Sequence, residues 1–358
     1  MARAVFLLVP AVLLAGCSLF GGGSSEPVEV PAELPALPAG AVQGRVLWRG
    51  SAGSFPKKDF YGLRLALDGQ RLYAADGEGR VTAFDPGSGR VLWRAETRPR
   101  LAAGAGVSGT AVLVGALDGE VVAISAEDGR ALWRSAVSSE VLAPPAGDGD
   151  TVVVRTGDGR LYGLAVADGQ RRWTFDRAVP TLSLRGVSQP VVSEGRVYAG
   201  LDTGKLVALE LQSGRVLWEE AVSTPGGRSE IDRLVDLDAD PVLADGVLYA
   251  VSYGGQVVAL DAATGKLKWR QDLASYSGLA VADNRVFASD REGRVWALDR
   301  DNGAVLWQQE GLKHRRLTRP AVHGGLVAVG DLEGYVHWLS PQDGSLRGRL
   351  KAGRSALV

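Results

Sequence analysis

One cysteine, three histidines and a scatter of aspartates beside glycine are the residues of this 358-residue chain whose types and spacing admit chemistry. Cys17 closes the run Leu14-Ala15-Gly16-Cys17, behind Arg3 and an apolar stretch over residues 5–15. That stretch is too short to span a bilayer, and a small-residue cleavage site behind a short apolar core marks a secretory signal. The chemistry that fits is cleavage before Cys17 and acylation of its thiol, as at a bacterial lipobox. No second thiol then remains for a disulfide within the chain. His314, His323 and His337 are separated by nine and fourteen residues, which is not zinc-ligand spacing. Asp76-Gly77, Asp118-Gly119, Asp158-Gly159 and Asp168-Gly169 place carboxylates in hairpin turns, where they bond the backbone. The glycines precede strands rather than helices, so none forms a phosphate loop. The expectation is no catalytic residue, no metal and no cofactor.

The elements that position these residues form a repeat. Seven glycine pairs, each ten residues apart, run from Gly79/Gly89 through Gly119/Gly129, Gly159/Gly169, Gly204/Gly214, Gly255/Gly265 and Gly293/Gly303 to Gly334/Gly344. Each pair encloses one short apolar run: VTAF, VVAI, LYGL, LVAL, VVAL, VWAL or VHWL. A tryptophan follows the second glycine by four residues in six copies; the seventh has Gly348 there, and a lone Gly44–Trp48 pair precedes the series. Successive tryptophans from Trp48 to Trp307 lie 38 to 51 residues apart, the length of one four-stranded propeller blade. In the copy from Asp245 to Arg270, strands are expected at Val247–Val251, at residues 256–260 and at 266–271, with an innermost strand near 240–243. The fold class expected is all-β: an eight-bladed propeller plan of four-stranded antiparallel blades, with the last blade incomplete at the C-terminus. Residues 44–49 would be its outer strand and residues 353–358 the start of its inner strand. The tryptophans are expected to pack between neighbouring blades.

Domain limits follow: a signal peptide over 1–16, a lipidated Cys17 with a flexible Gly/Ser/Pro-rich tether to residue 41, and the propeller over 42–358. Removing residues 1–16 takes away one basic residue and no acid, leaving 39 basic against 41 acidic side chains. This balance, with no basic stripe, gives no sign of nucleic-acid binding. Glycine spacing is fixed inside each repeat, so insertions fall between blades. The two largest, at about 176–188 and 220–240, are adjacent around the ring and emerge on one face, where long loops on a rigid scaffold carry function. The first contains Leu182, Leu184 and Arg185, apolar and charged anchors of the interface type; the second is dense in acid. The alternative at this point is that both loops merely cap their own blades.

The repeat resembles that of the pyrroloquinoline-quinone propellers, some of which are quinoprotein dehydrogenases. Those enzymes hold quinone and calcium in a central funnel, commonly beside a vicinal cysteine pair that this chain lacks. The stretches TLSLRG (181–186), SEIDRLVDLDADP (229–241), KHRRLTRP (313–320) and VGDLEGYVHW (329–338) are more specific. They closely resemble the BamB family, the propeller lipoproteins of the β-barrel assembly machinery in Gram-negative outer membranes. The resemblance implies a non-enzymatic scaffold, held by lipid alone at the periplasmic face of the outer membrane, as Ser18 in place of an aspartate after Cys17 also favours. It implies binding to the POTRA domains of the barrel subunit BamA and assistance to unfolded outer-membrane proteins. It places the contact on Leu182, Leu184 and Arg185 and on Asp236 and Asp238. The two aspartates would either meet basic residues of BamA or hold Arg185 in place. Edge augmentation of client strands is a further expectation with no residue set attached. The rival reading is a periplasmic quinone- or small-ligand-binding propeller.

Overall fold

The computed structural model describes residues 30–357 except 55–61, 178–187, 224–236, 238, 253–254 and 276. The compact unit begins at Pro31. Its described secondary structure is seven sheets, each hydrogen-bonded in chain order from an inner to an outer strand. We number them as blades 1 to 7. The inner strands are Ala66–Leu67, Leu101–Ser108, Ala146–Gly147, Val191–Ser193, Val242–Ala244, Leu279–Ala282 and Ala321–His323. The outer strands are Val91–Glu96, Ala131–Ala136, Arg171–Phe175, Val216–Ala221, Leu267–Asp272, Val305–Gln309 and Leu346–Lys351. In blade 5 the two middle strands are Val247–Val251 and Gln256–Asp261, as alternation and turn chemistry predict. Both glycines of every pair have positive φ, from +69° to +78° at the second position, because the tight turns twist with the strands they join.

Blade 2 departs from the four-stranded antiparallel expectation. A fifth strand, Gly62–Leu63, runs parallel to Leu101–Ser108 on its inner edge. An inner strand presents a free row of backbone groups, and this segment satisfies part of it: Ala105 N donates to Arg64 O at 2.8 Å. The approach needs glycine, since a Cβ at Gly62 would overlap the Leu142 carbonyl.

The tryptophans join blade to blade. Each indole of Trp93, Trp133, Trp173, Trp218, Trp269 and Trp307 lies on the second glycine of the following blade, where a Cβ would collide with it. Each Nε1 donates to the carbonyl three residues before that glycine, at 2.5–3.0 Å. One residue thus excludes water from an interface and satisfies a turn carbonyl. Within its own blade each of these tryptophans pairs with a small residue on the adjoining strand, Ala83, Ala123, Gly163, Ala208, Ala259 or Ala297. Blade 7 reverses the pair: Trp338 stands opposite Gly348. The missing seventh tryptophan is therefore supplied from the neighbouring strand. Apolar clusters between successive blades complete the core, as with Tyr249 and Trp269 of blade 5 against Val286 and Leu298 of blade 6.

The same rule extends to the N-terminal segment. Gly44 lies on the Trp338 indole, and Trp48 lies on Gly89 of blade 1 with its Nε1 donating to Pro86 O at 2.8 Å. Residues 43–50 nevertheless form no strand. Val42 makes one parallel bridge to Gly348, and a single bridge is no continuous ladder. Leu357 covers Gly330 as Leu237 covers Gly200, with its N–H donating to Asp331 O at 3.0 Å. Residues 31–37, placed in the tether by sequence, lie against blades 6 and 7. Ala32 N donates to Lys313 O at 2.9 Å, Arg349 Nη1 donates to Pro35 O at 3.2 Å, and Leu37 joins the cluster of Leu312 and Leu317.

Candidate functional site

The residues singled out by sequence, Cys17, Leu182, Leu184, Arg185, Asp236 and Asp238, lie outside the described residues. The described part is the footing of both long connections. The first leaves blade 3 through Phe175–Arg177, where the Arg177 guanidinium sits 4.6 Å from the Phe175 ring centroid and 3.4 Å from Glu219. It returns at Ser188. The second leaves blade 4 after Ala221 and returns at Leu237. The two returning ends meet over Gly200, where a Cβ would collide with Leu237 and crowd Ser188 Oγ. Below them Arg155, 5% exposed, donates from Nη1 to Ser188 Oγ at 2.5 Å and pairs with the equally buried Asp202. Asp240 Oδ1 accepts the Gln189 N–H at 2.7 Å, so the end of the second connection is bonded to the end of the first.

Asp240 belongs to a level that recurs around the ring. Arg64, Gln189, Asp240 and Arg319 each stand two residues before an inner strand; by strand register the other positions at this level hold Gly104, Pro144 and Gly278. Inner strands line the axial channel, so this level is its mouth on the connection-bearing face. Asp240 Oδ2 pairs with Arg64 and, at 3.3 Å, with Arg319, whose Nε also donates to Leu279 O at 2.8 Å. Blades 1, 4, 5 and 7 are thus bridged through one carboxylate. Sequence reasoning missed this group. Aligning the repeats on their inner strands would have exposed one acid and two arginines at equivalent positions.

The motifs KHRRLTRP and VGDLEGYVHW fold onto each other. Arg315, 3% exposed, donates from Nε to Asp331 Oδ2 at 2.8 Å and pairs with Glu333. His337 Nε2 lies 2.9 Å from the same Asp331 oxygen, so this histidine is packed in the blade, as its position in a strand predicts. Burial pushes the His337 pKa below its ordinary value, against the pull of Asp331. Burial tends to raise Asp331, but hydrogen bonds from His337, the Tyr335 N–H and Arg315 outweigh it and hold the carboxyl low. Both groups therefore bind fewer protons folded than unfolded. Stability is present above their ordinary values and falls with pH, first through the histidine range below about 6.5 and then below about 4. The urea midpoint should be lower at about pH 5 than at about pH 7.5, and His337→Gln should flatten that slope. A midpoint unchanged across this range in the parent protein would exclude His337 as a titrating group.

Among the described residues, no group of three or more His, Cys, Asp or Glu is placed to hold a metal ion, and no helix is long and apolar enough to cross a membrane. What the geometry offers is a rigid face with two connections anchored side by side. A family profile described as "Outer membrane protein assembly factor BamB" matches residues 39–97, 77–309 and 244–356. The outer membrane protein assembly factor BamB of Alkalilimnicola ehrlichii is 47% identical over 357 residues, covering 99% of this chain and 90% of that protein. Its counterpart from Pseudomonas aeruginosa is 48% identical over 344 residues, covering 96% and 89%. The crystal structure of BamB from Moraxella catarrhalis matches with a TM-score of 0.78 at 32% identity, over 86% of this chain and 92% of that one.

Proposed function

Since this chain belongs to the BamB family of outer membrane protein assembly factors, we propose that it is a non-enzymatic scaffold for outer-membrane protein assembly. Its partner is the periplasmic POTRA region of the barrel subunit BamA, and its docking surface is the pair of long connections. Leu182 and Leu184 enter an apolar groove of a POTRA domain, Arg185 pairs with an acidic group there, and Asp236 and Asp238 form the acidic half of the same surface. Cys17 carries the lipid that holds the chain at the periplasmic face of the outer membrane.

The observation that carries this reading is the joined footing. Gly200 lets Leu237 and Ser188 close on each other, and Asp240 bonds Gln189, so both connections rise from one rigid base. Such a base lowers the ordering cost of a two-loop interface. A quinone-binding propeller gains nothing from this arrangement.

The test is binding of the lipid-free chain from Ser18 to purified BamA POTRA domains, beside Arg185→Glu checked by circular dichroism. Reversing a charge at a desolvated pair is expected to cost at least about 2 kcal/mol, or about 30-fold in Kd. Equal affinity of a folded Arg185→Glu protein would remove Arg185 from the interface. No binding by the parent chain would refute the POTRA assignment.

A further inference from the structure

Among the described residues Asp240 is the one acid at the channel-mouth level, and its two oxygens do different work. Oδ1 accepts the N–H of Gln189, immediately after the first connection returns. Oδ2 receives Arg64, which leads into the inner strand of blade 1, and Arg319 from blade 7. The Asp240 side chain is 11% exposed, whereas those of Arg64 and Arg319 are 37% and 44% exposed. The carboxylate is therefore the shielded centre of the group and the arginines its half-solvated struts. Bonds to an ionised acceptor are the strong ones, and three donors on one carboxylate fix it in two directions.

We propose that Asp240 is a positioning residue for partner docking: it ties the returning ends of the two long connections into one unit and braces that unit across the channel. The docking role rests on the assignment in the preceding subsection; the tie itself does not. Asp240→Ala removes both halves of the contact, and the half-exposed arginines can turn to water, so the fold is retained. Asp240→Asn keeps an acceptor for Gln189 but loses the charge that holds Arg64 and Arg319.

The experiment uses the whole mature protein and two readouts. Hydrogen exchange should show the amides of Ser188 and Gln189 and those of Leu237, Ala239 and Asp240 losing protection together in Asp240→Ala, and less so in Asp240→Asn. Binding to BamA POTRA domains should weaken about tenfold or more in Asp240→Ala, with Asp240→Asn between it and the parent. The discriminating measurement is a double-mutant cycle between Leu182→Ala and Asp236→Ala: their effects on binding should couple in the parent and become additive in Asp240→Ala. Loss of stability alone would not abolish that coupling. Protection unchanged, or changed at one end only, overturns the tie whatever the partner does. Coupling that survives Asp240→Ala overturns the positioning role. A parent chain that does not bind POTRA domains, yet shows the paired change in exchange, overturns the docking role and leaves the tie supported.

Discussion

Trp173→Ala is expected to lower unfolding stability by about 3–5 kcal/mol, the range for removing a buried tryptophan from a core. The indole is 7% exposed and sits among Val153, Leu161, Val197 and Leu209 at the junction of blades 3 and 4. Three losses add. The apolar face no longer covers Gly214, a cavity opens between two sheets, and the Leu211 carbonyl loses the indole N–H that reaches it at 2.7 Å. The adjacent blade cannot move in to fill the gap, because its turn is fixed by the positive φ of Gly214. Trp48→Ala should cost less, since Trp48 is only partly buried and stacks on Phe84 at a 6.1 Å centroid distance. Urea unfolding followed by circular dichroism measures both. A Trp173→Ala cost below about 1 kcal/mol would mean that blades are held mainly within themselves, contrary to nearest-neighbour coupling.

Asp331→Ala is expected to cost a similar amount, about 3–5 kcal/mol, for a different reason. The Asp331 side chain is fully buried; its Oδ1 accepts the N–H groups of Glu333 at 3.0 Å and Tyr335 at 2.9 Å, while Oδ2 meets Arg315 and His337. Alanine leaves the 3%-exposed Arg315 guanidinium, among the described residues, with Glu333 and the Ala32 carbonyl. It also strips two turn amides of their acceptor. Asp331→Asn keeps an oxygen for those amides and removes the charge, so its loss should be smaller and should report the ionic part. Because Arg315 also holds Ala32, proteolysis near residue 32 should quicken in Asp331→Ala. Equal stability of Asp331→Ala and the parent would show that the buried charge is solvated by other means.

Much of this architecture was legible in the chain. The strands of blade 5, the turn glycines and the inter-blade tryptophans are local matters: alternation of period two, φ > 0 at a hairpin turn, a large apolar residue at a constant offset. The position of His337 in a strand announced its packing in the same way. The two long connections stood out because the glycine spacing is constant everywhere else. The contact residues assigned to them came from family motifs, since a leucine in a loop looks the same whether it docks a partner or caps its own blade.

By itself the sequence determined the repeat and the strand order within a blade, because each depends on residues within about one blade length of each other. Only the tertiary structure decided that Trp338 replaces the absent seventh tryptophan from the adjoining strand, that residues 31–37 lie along blades 6 and 7, and that Gly62–Leu63 adds a parallel strand to blade 2. The channel-mouth group is the extreme case: Arg64 and Asp240 are 176 residues apart and meet only because the radial arrangement of blades brings the first and fifth together. No local pattern encodes such a pair. Its energy comes from a charge shielded by strands that are distant in the chain, and that shielding exists only once the ring has formed.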